Sequence, residues 1–167
     1  MIKLKWHKIK YENGKIKGEV PSESNVAVAL IDKSKVHKMH IAMDTFLGES
    51  QDDFQFERFP IIGESESLEC GGHIFAWAEM TTFIENPTNA KAFKGIVVTG
   101  MGTYGAPDKI GEYLTIVCSP DNGSQFAMID KWNGQTFENY EVYNPMNLDS
   151  DFPETIAWAK VDLPKEH

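Results

Sequence analysis

Arginine is almost missing from this chain: Arg58 is the only one among 16 basic residues. The planar guanidinium fork is the group best suited to bidentate capture of phosphate or carboxylate, so a protein specialised for that task is disfavoured. Cysteine is scarce too, with Cys70 and Cys118 only, each in or beside an apolar stretch. Two are too few for a disulfide framework and suit reduced, half-buried thiols in a reducing compartment. No run of 18 apolar residues occurs, so no membrane-spanning helix is expected. The segment Met1–Lys10 alternates apolar and basic residues and lacks the uninterrupted apolar stretch of a secretory signal, which sets the expectation of a cytoplasmic protein. There is no Gly-x-Ser-x-Gly elbow and no His-x-Glu deaminase motif.

What is present is an ordinary globular composition, 41% hydrophobic and 25% charged. A length of 167 residues fits one compact domain or two very small ones sharing a core. The net charge of −9 is unevenly spread. Residues 1–18 hold six lysines and one glutamate, +5, which leaves −14 on the remainder. Such a body repels phosphate backbones, so no direct nucleic-acid partner is expected. The acidity serves solubility, or forms a face that docks on a basic protein surface.

Alternation and turn residues dominate the chain, and helical periodicity is rare. Asn13-Gly14 between Trp6–Tyr11 and Lys15–Val20 is a hairpin signature. Val26–Ile31, Lys38–Met43, Asp53–Phe59 and His73–Met80 have strand patterns, with the phenylalanines of Asp53–Phe59 expected on one face. Asn86–Phe93 is the best short-helix candidate, with Asn86 as cap and Pro87 in the first turn.

The second half replays the first. Leu114–Cys118 resembles Val26–Leu30, and Gln125–Asp130 answers His40–Asp44. Asp44/Asp130, Phe46/Trp132, Gly48/Gly134, Phe54/Tyr140, Phe56/Val142 and Pro21/Pro107 all differ by 86 in number, and both last strands carry Ala-Trp-Ala, at 76–78 and 157–159. This pattern implies a tandem duplication. The expected fold is mainly β (a β-rich α+β class): two tandem four-stranded antiparallel units packed together, with at most one or two short helices. The expected organisation is an N-terminal hairpin over 1–20, a β unit over 21–85, a helix and Gly-rich connector over 86–106, and a second β unit over 107–167. Trp77 and Trp158 are the expected core anchors. The Asp-x-x-x-Gly pairs are expected to make the same turn twice, with aspartate working on backbone.

The unit's pattern also resembles a family of small phage and prophage proteins of unknown function. Their sequences run from a Leu-Pro-like start through Val-x-Val to a closing His-Trp-Met-Pro-Leu-Pro. Val20-Pro21 and Val26-Ala-Val28 match the opening, and Ile156–Ala159 followed by Leu163-Pro164 matches the close. Alanine replaces the histidine before each tryptophan, and the first copy lacks the closing Leu-Pro. The resemblance implies a mobile-element accessory protein and brings no catalytic residues.

Among possible chemical sites, Gly100-Met-Gly-Thr-Tyr-Gly105 has the G-x-G-x-x-G spacing after Ile96–Thr99. A dinucleotide fingerprint needs a long helix next, whereas Pro107 follows at once. The glycines are therefore expected to form a flexible loop joining the repeats, leaving Gly100, Gly102, Tyr104 and Gly105 as a candidate ligand-contacting set. His37 and His40 should point to opposite faces of one strand. Cys70 and His73 have a usable metal-ligand spacing that His40 could join across the sheet, but the second copy has no counterpart, so no metal and no cofactor are expected. The stretch before Cys70 is acidic, which disfavours a reactive thiol.

The leading expectation is a non-enzymatic phage or mobile-element accessory protein in the host cytoplasm. It would bind a host protein with a basic surface and inhibit a bacterial defence system. Asp52, Asp53, Glu64 and Glu66 are the candidate partner-binding residues. The rival readings are a nucleotide- or small-molecule-binding protein or enzyme using the Gly100–Gly105 loop, and a structural or assembly protein that forms homo-oligomers.

Overall fold

The alternating segments fold as strands because one face of each can be buried while the backbone pairs with its neighbours. The computed structural model describes residues 1–12, 15–32, 38–62, 72–80, 91–147 and 151–165. In chain order the strands are β1 His7–Lys8, β2 Lys10–Glu12, β3 Lys15–Lys17, β4 Asn25–Asp32, β5 Lys38–Thr45 and β6 His73–Glu79. They continue with β7 Lys94–Gly95, β8 Val97–Thr99, β9 Gly102–Tyr104, β10 Gly111–Cys118, β11 Gln125–Trp132 and β12 Glu154–Ala159. Among the described residues there is no α-helix; the helix expected over 86–93 lies mostly outside them, and Lys91-Ala92 form a short 3₁₀ turn.

The chain divides into two compact units. The first comprises Leu4–Met80 with Leu163–His167, and the second Met1–Lys3 with Thr81–Asp162. The first unit holds a four-stranded antiparallel sheet of order β1-β6-β4-β5 and the hairpin β2-β3. The second holds a sheet of order β7-β12-β10-β11, also antiparallel, and the hairpin β8-β9. The six elements β1–β6 therefore recur as β7–β12, in the same order and with the same neighbours. The segment 86–106, expected to connect two repeats, contains β7–β9, which stand in the second unit where β1–β3 stand in the first.

Ladder register aligns the copies residue by residue. Val28 lies opposite Trp77 on β6, and Thr115 lies opposite Trp158 on β12. A register irregularity falls after Ala29 in one copy and after Ile116 in the other. Val26 thus corresponds to Tyr113 and Leu30 to Val117, one residue away from the expected match of Val26–Leu30 with Leu114–Cys118. One residue matters, because it moves every side chain to the opposite face.

The return segment before the last strand is corrected more strongly. Phe46 bridges Phe56, as Trp132 bridges Phe137, and Ile61 bridges Ile74, as Val142 bridges Thr155. Backbone hydrogen bonds follow suit: Ile62 N to Ile74 O (2.8 Å) matches Tyr143 N to Thr155 O (2.9 Å). The true pairs are Phe56/Phe137, Phe59/Tyr140 and Ile61/Val142, in place of Phe54/Tyr140 and Phe56/Val142. Asp53–Phe59 forms no continuous strand; only Phe56 makes a bridge.

Each unit has one cluster of buried aromatic and aliphatic residues. In the first, Val26, Val28, Leu30, Ile74 and Trp77 pack with Ile61 and the cluster Phe46, Phe54 and Phe56. In the second, Tyr113 and Trp158 pack with Trp132, Phe137 and Val142. Trp77 is stacked by His7, ring centroids 4.3 Å apart, and Trp158 donates its indole N–H to Gly105 O at 2.6 Å.

Candidate interaction site

A buried aspartate fixes the return segment of each unit. Asp44 and Asp130, at the ends of β5 and β11, are 3% and 2% exposed. The Asp44 carboxylate accepts hydrogen bonds from the backbone N–H groups of Thr45 (2.7 Å), Arg58 (2.9 Å) and Phe59 (3.0 Å). Asp130 accepts from the N–H groups of Lys131 (2.8 Å), Asn139 (3.1 Å) and Tyr140 (3.3 Å), and from the Asn139 side-chain amide (2.8 Å). Burial pushes the Asp130 carboxyl above its ordinary value, opposed by those four donors. Both aspartates do the backbone work expected of them. The glycines that follow do not make one turn twice, since only Gly134 has a positive φ, +101°.

With the clamps equivalent, the described return segments part between the clamp strand and the first bridge. Nine residues, 47–55, separate Phe46 from Phe56, and four, 133–136, separate Trp132 from Phe137. The longer loop carries Glu49, Asp52 and Asp53, all exposed. Phe54 is turned inward beneath them, with ring centroids 5.0 Å from Phe46 and 5.6 Å from Phe56. The loop closes through Leu47 N to Gln55 O (2.9 Å), Asp53 N to Ser50 O (3.2 Å) and the Gln51 amide to Gly18 O (2.5 Å). Gly48 is required here, because a Cβ on it would lie 1.7 Å from Asp53 O. Three carboxylates are thus displayed on a loop held at both ends and plugged by an aromatic ring. Glu64 and Glu66 lie outside the described residues.

The glycine motif is a hairpin, not a flexible joining loop. β8 and β9 pair Val97 with Tyr104 and Thr99 with Gly102, leaving Gly100 and Met101 as the turn. The Thr99 hydroxyl accepts from Met101 N (3.1 Å) and donates to Gly102 O (3.2 Å). Gly105 has φ +78°, and a Cβ on it would lie 2.0 Å from Gly95 O. These glycines therefore shape backbone, and the helix that a pyrophosphate site needs does not follow them. Tyr104 and Met101 are exposed.

His40 and His73 do not converge. His73 is opposite Ile31, which is opposite Met39, so His40, the next residue along β5, points to the other face. Cys70 and His37 lie outside the described residues; Cys118 is a free, half-buried thiol. His73 is buried, and its Nε2 has no hydrogen-bond partner among the described residues. A buried unsatisfied polar atom costs roughly 1–3 kcal/mol. His73→Leu should therefore leave stability unchanged or raise it by about 1 kcal/mol in urea denaturation. A loss above about 2 kcal/mol would show that the imidazole is used.

Comparison with protein families, curated proteins and solved structures returned no match for this chain.

Proposed function

We propose that this chain is a non-enzymatic accessory protein of a phage or other mobile element, acting in the host cytoplasm by docking on a host protein with a basic surface. The target assigned to it is a component of a bacterial defence system. The observation that carries the docking reading is the insertion at 47–55. Among the described residues it is the place where the two return segments part, and its surplus residues supply exposed carboxylates on a restrained loop. Restraint favours binding, since little conformational freedom is left to lose on contact. The phage context rests on the resemblance at Val20-Pro21, Val26–Val28 and Ile156–Ala159.

The test begins with affinity capture from host lysate and proceeds to association rates against salt. Neutralising Asp52, Asp53, Glu64 and Glu66 together to Asn or Gln should slow association about tenfold or more at low salt and flatten the salt dependence. Folding should be unaffected, because exposed carboxylates such as those of Asp52 and Asp53 contribute little to stability. Neutralising Lys3, Lys5, Lys8 and Lys10 is the control. Binding that ignores salt and the acidic substitutions, but is lost in Tyr104→Ala, would move the site to the Gly100–Gly105 hairpin, where Met101 and Tyr104 are exposed. Self-association without a host partner would favour the assembly reading.

A further inference from the structure

We infer that Arg58 anchors a small pocket that takes a carboxylate. This site lies beside the acidic loop and does not depend on the docking reading. Segment 55–61 lines a pocket of about 220 Å³, with Gln55, Glu57, Arg58 and Phe59 among its walls. That volume suits one acidic headgroup, being smaller than pockets that enclose drug-sized ligands, about 300–1,000 Å³.

The guanidinium is held ready. Its Nη1 donates to Met43 O at 3.0 Å, and its Cζ lies 5.0 Å from the Phe59 ring centroid. These contacts position the fork, and among the described residues they use one of its five N–H donors, leaving others for a ligand. Among the described residues no carboxylate pairs with it, in a chain with 25 acidic residues. Glu57 lines the same pocket without pairing.

The Asp44 carboxylate accepts only from the backbone N–H of Arg58, and the side chain adds one further tie of the return segment, to Met43 O on β5. The corresponding residue in the second unit is Asn139, whose amide turns inward to Asp130. The chain uses lysine at every other basic position, and only here a rigid, planar, multidentate cation. A fork set over an aromatic ring, with donors left over among the described residues and a concave, polar setting, is the arrangement that recognises a carboxylate.

The source of that carboxylate is a small organic acid or a polypeptide C-terminus, and one experiment separates them. The full chain labelled with ¹⁵N gives a single arginine Nε–Hε signal. It is titrated with sodium acetate, sodium succinate and a tetrapeptide with a free C-terminus, against matched sodium chloride and the amidated peptide. The expected result is saturable displacement by at least one carboxylate and not by chloride or the amide. Saturation by the small acids assigns a free acid, and saturation by the peptide alone assigns a chain terminus. Arg58→Lys should weaken binding, followed by backbone amide shifts around the pocket, about tenfold or more, because a point charge cannot reproduce the fork. Glu57→Gln should strengthen it by removing a like charge. Displacement equal in chloride and carboxylate, no displacement by any of the three, or undiminished binding in a folded Arg58→Asn or Arg58→Lys variant would overturn the assignment.

Discussion

Trp77→Ala should lower the free energy of unfolding by about 3–5 kcal/mol, measured by urea denaturation with circular dichroism. Trp77 is 2% exposed and lies opposite Val28 in the middle of its sheet face. One edge of its surroundings is the stacked His7 ring on the short strand β1, which pairs with β6 at two positions only. Removing the indole leaves a cavity that rigid neighbours cannot refill and takes away the surface that holds β1. Trp158→Ala should cost a similar amount by a partly different route. It removes apolar contact with Tyr113, centroids 5.0 Å apart, and also strands Gly105 O, which accepts the indole N–H. Trp158→Phe should then recover most of the packing and none of the hydrogen bond. A change below about 1 kcal/mol for either alanine variant would place that ring outside the core.

Asp44→Ala and Asp130→Ala should each cost about 3 kcal/mol, because each carboxylate satisfies at least three backbone N–H groups of one chain reversal. Hydrogen exchange distinguishes this loss from a general one: the amides of Arg58 and Phe59, or of Asn139 and Tyr140, should lose protection first. Asp130 adds a pH signature. Burial raises its pKa, so the folded state holds this proton more tightly than the unfolded chain does. Its contribution to stability is fully present below the ordinary aspartate value and falls as pH rises through the raised one. The deficit caused by the non-titrating Asp130→Asn should therefore shrink as pH rises over that window. A deficit that grows with pH would mean that the N–H donors outweigh burial and hold the carboxylate ionised.

Much of the β unit is legible in the sequence. Val26–Ile31, Lys38–Met43 and His73–Met80 alternate or run apolar between turn residues, and such patterns report local conformation. The duplication was legible at Asp44/Asp130 and Trp77/Trp158, where the same residue performs the same task in both copies. It misled at Phe54. The Phe-x-Phe spacing imitates a strand with one apolar face, whereas Phe54 is the plug of an inserted loop and Phe56 alone makes the bridge. A constant offset of 86 concealed five surplus residues because aromatic and apolar positions are frequent enough to align by accident. The Gly100–Gly105 motif was ambiguous for a related reason: glycines permit a hairpin turn and a phosphate loop alike, and the partner strand decides.

By itself, then, the amino-acid sequence determined strand content, the positions of most turns, the twofold recurrence of the unit and the tryptophans at its centre. Each of these follows from side-chain periodicity and backbone preference among near neighbours. Tertiary structure alone decided the register between copies and the pairing of β7–β9 into the second unit. It also decided the opposite facing of His40 and His73, the burial of the two clamp aspartates and the placing of the Arg58 guanidinium against Met43 O and Phe59. Those depend on which strand lies beside which and on where a loop closes. Residues far apart in sequence enter that choice together, and no local pattern contains it.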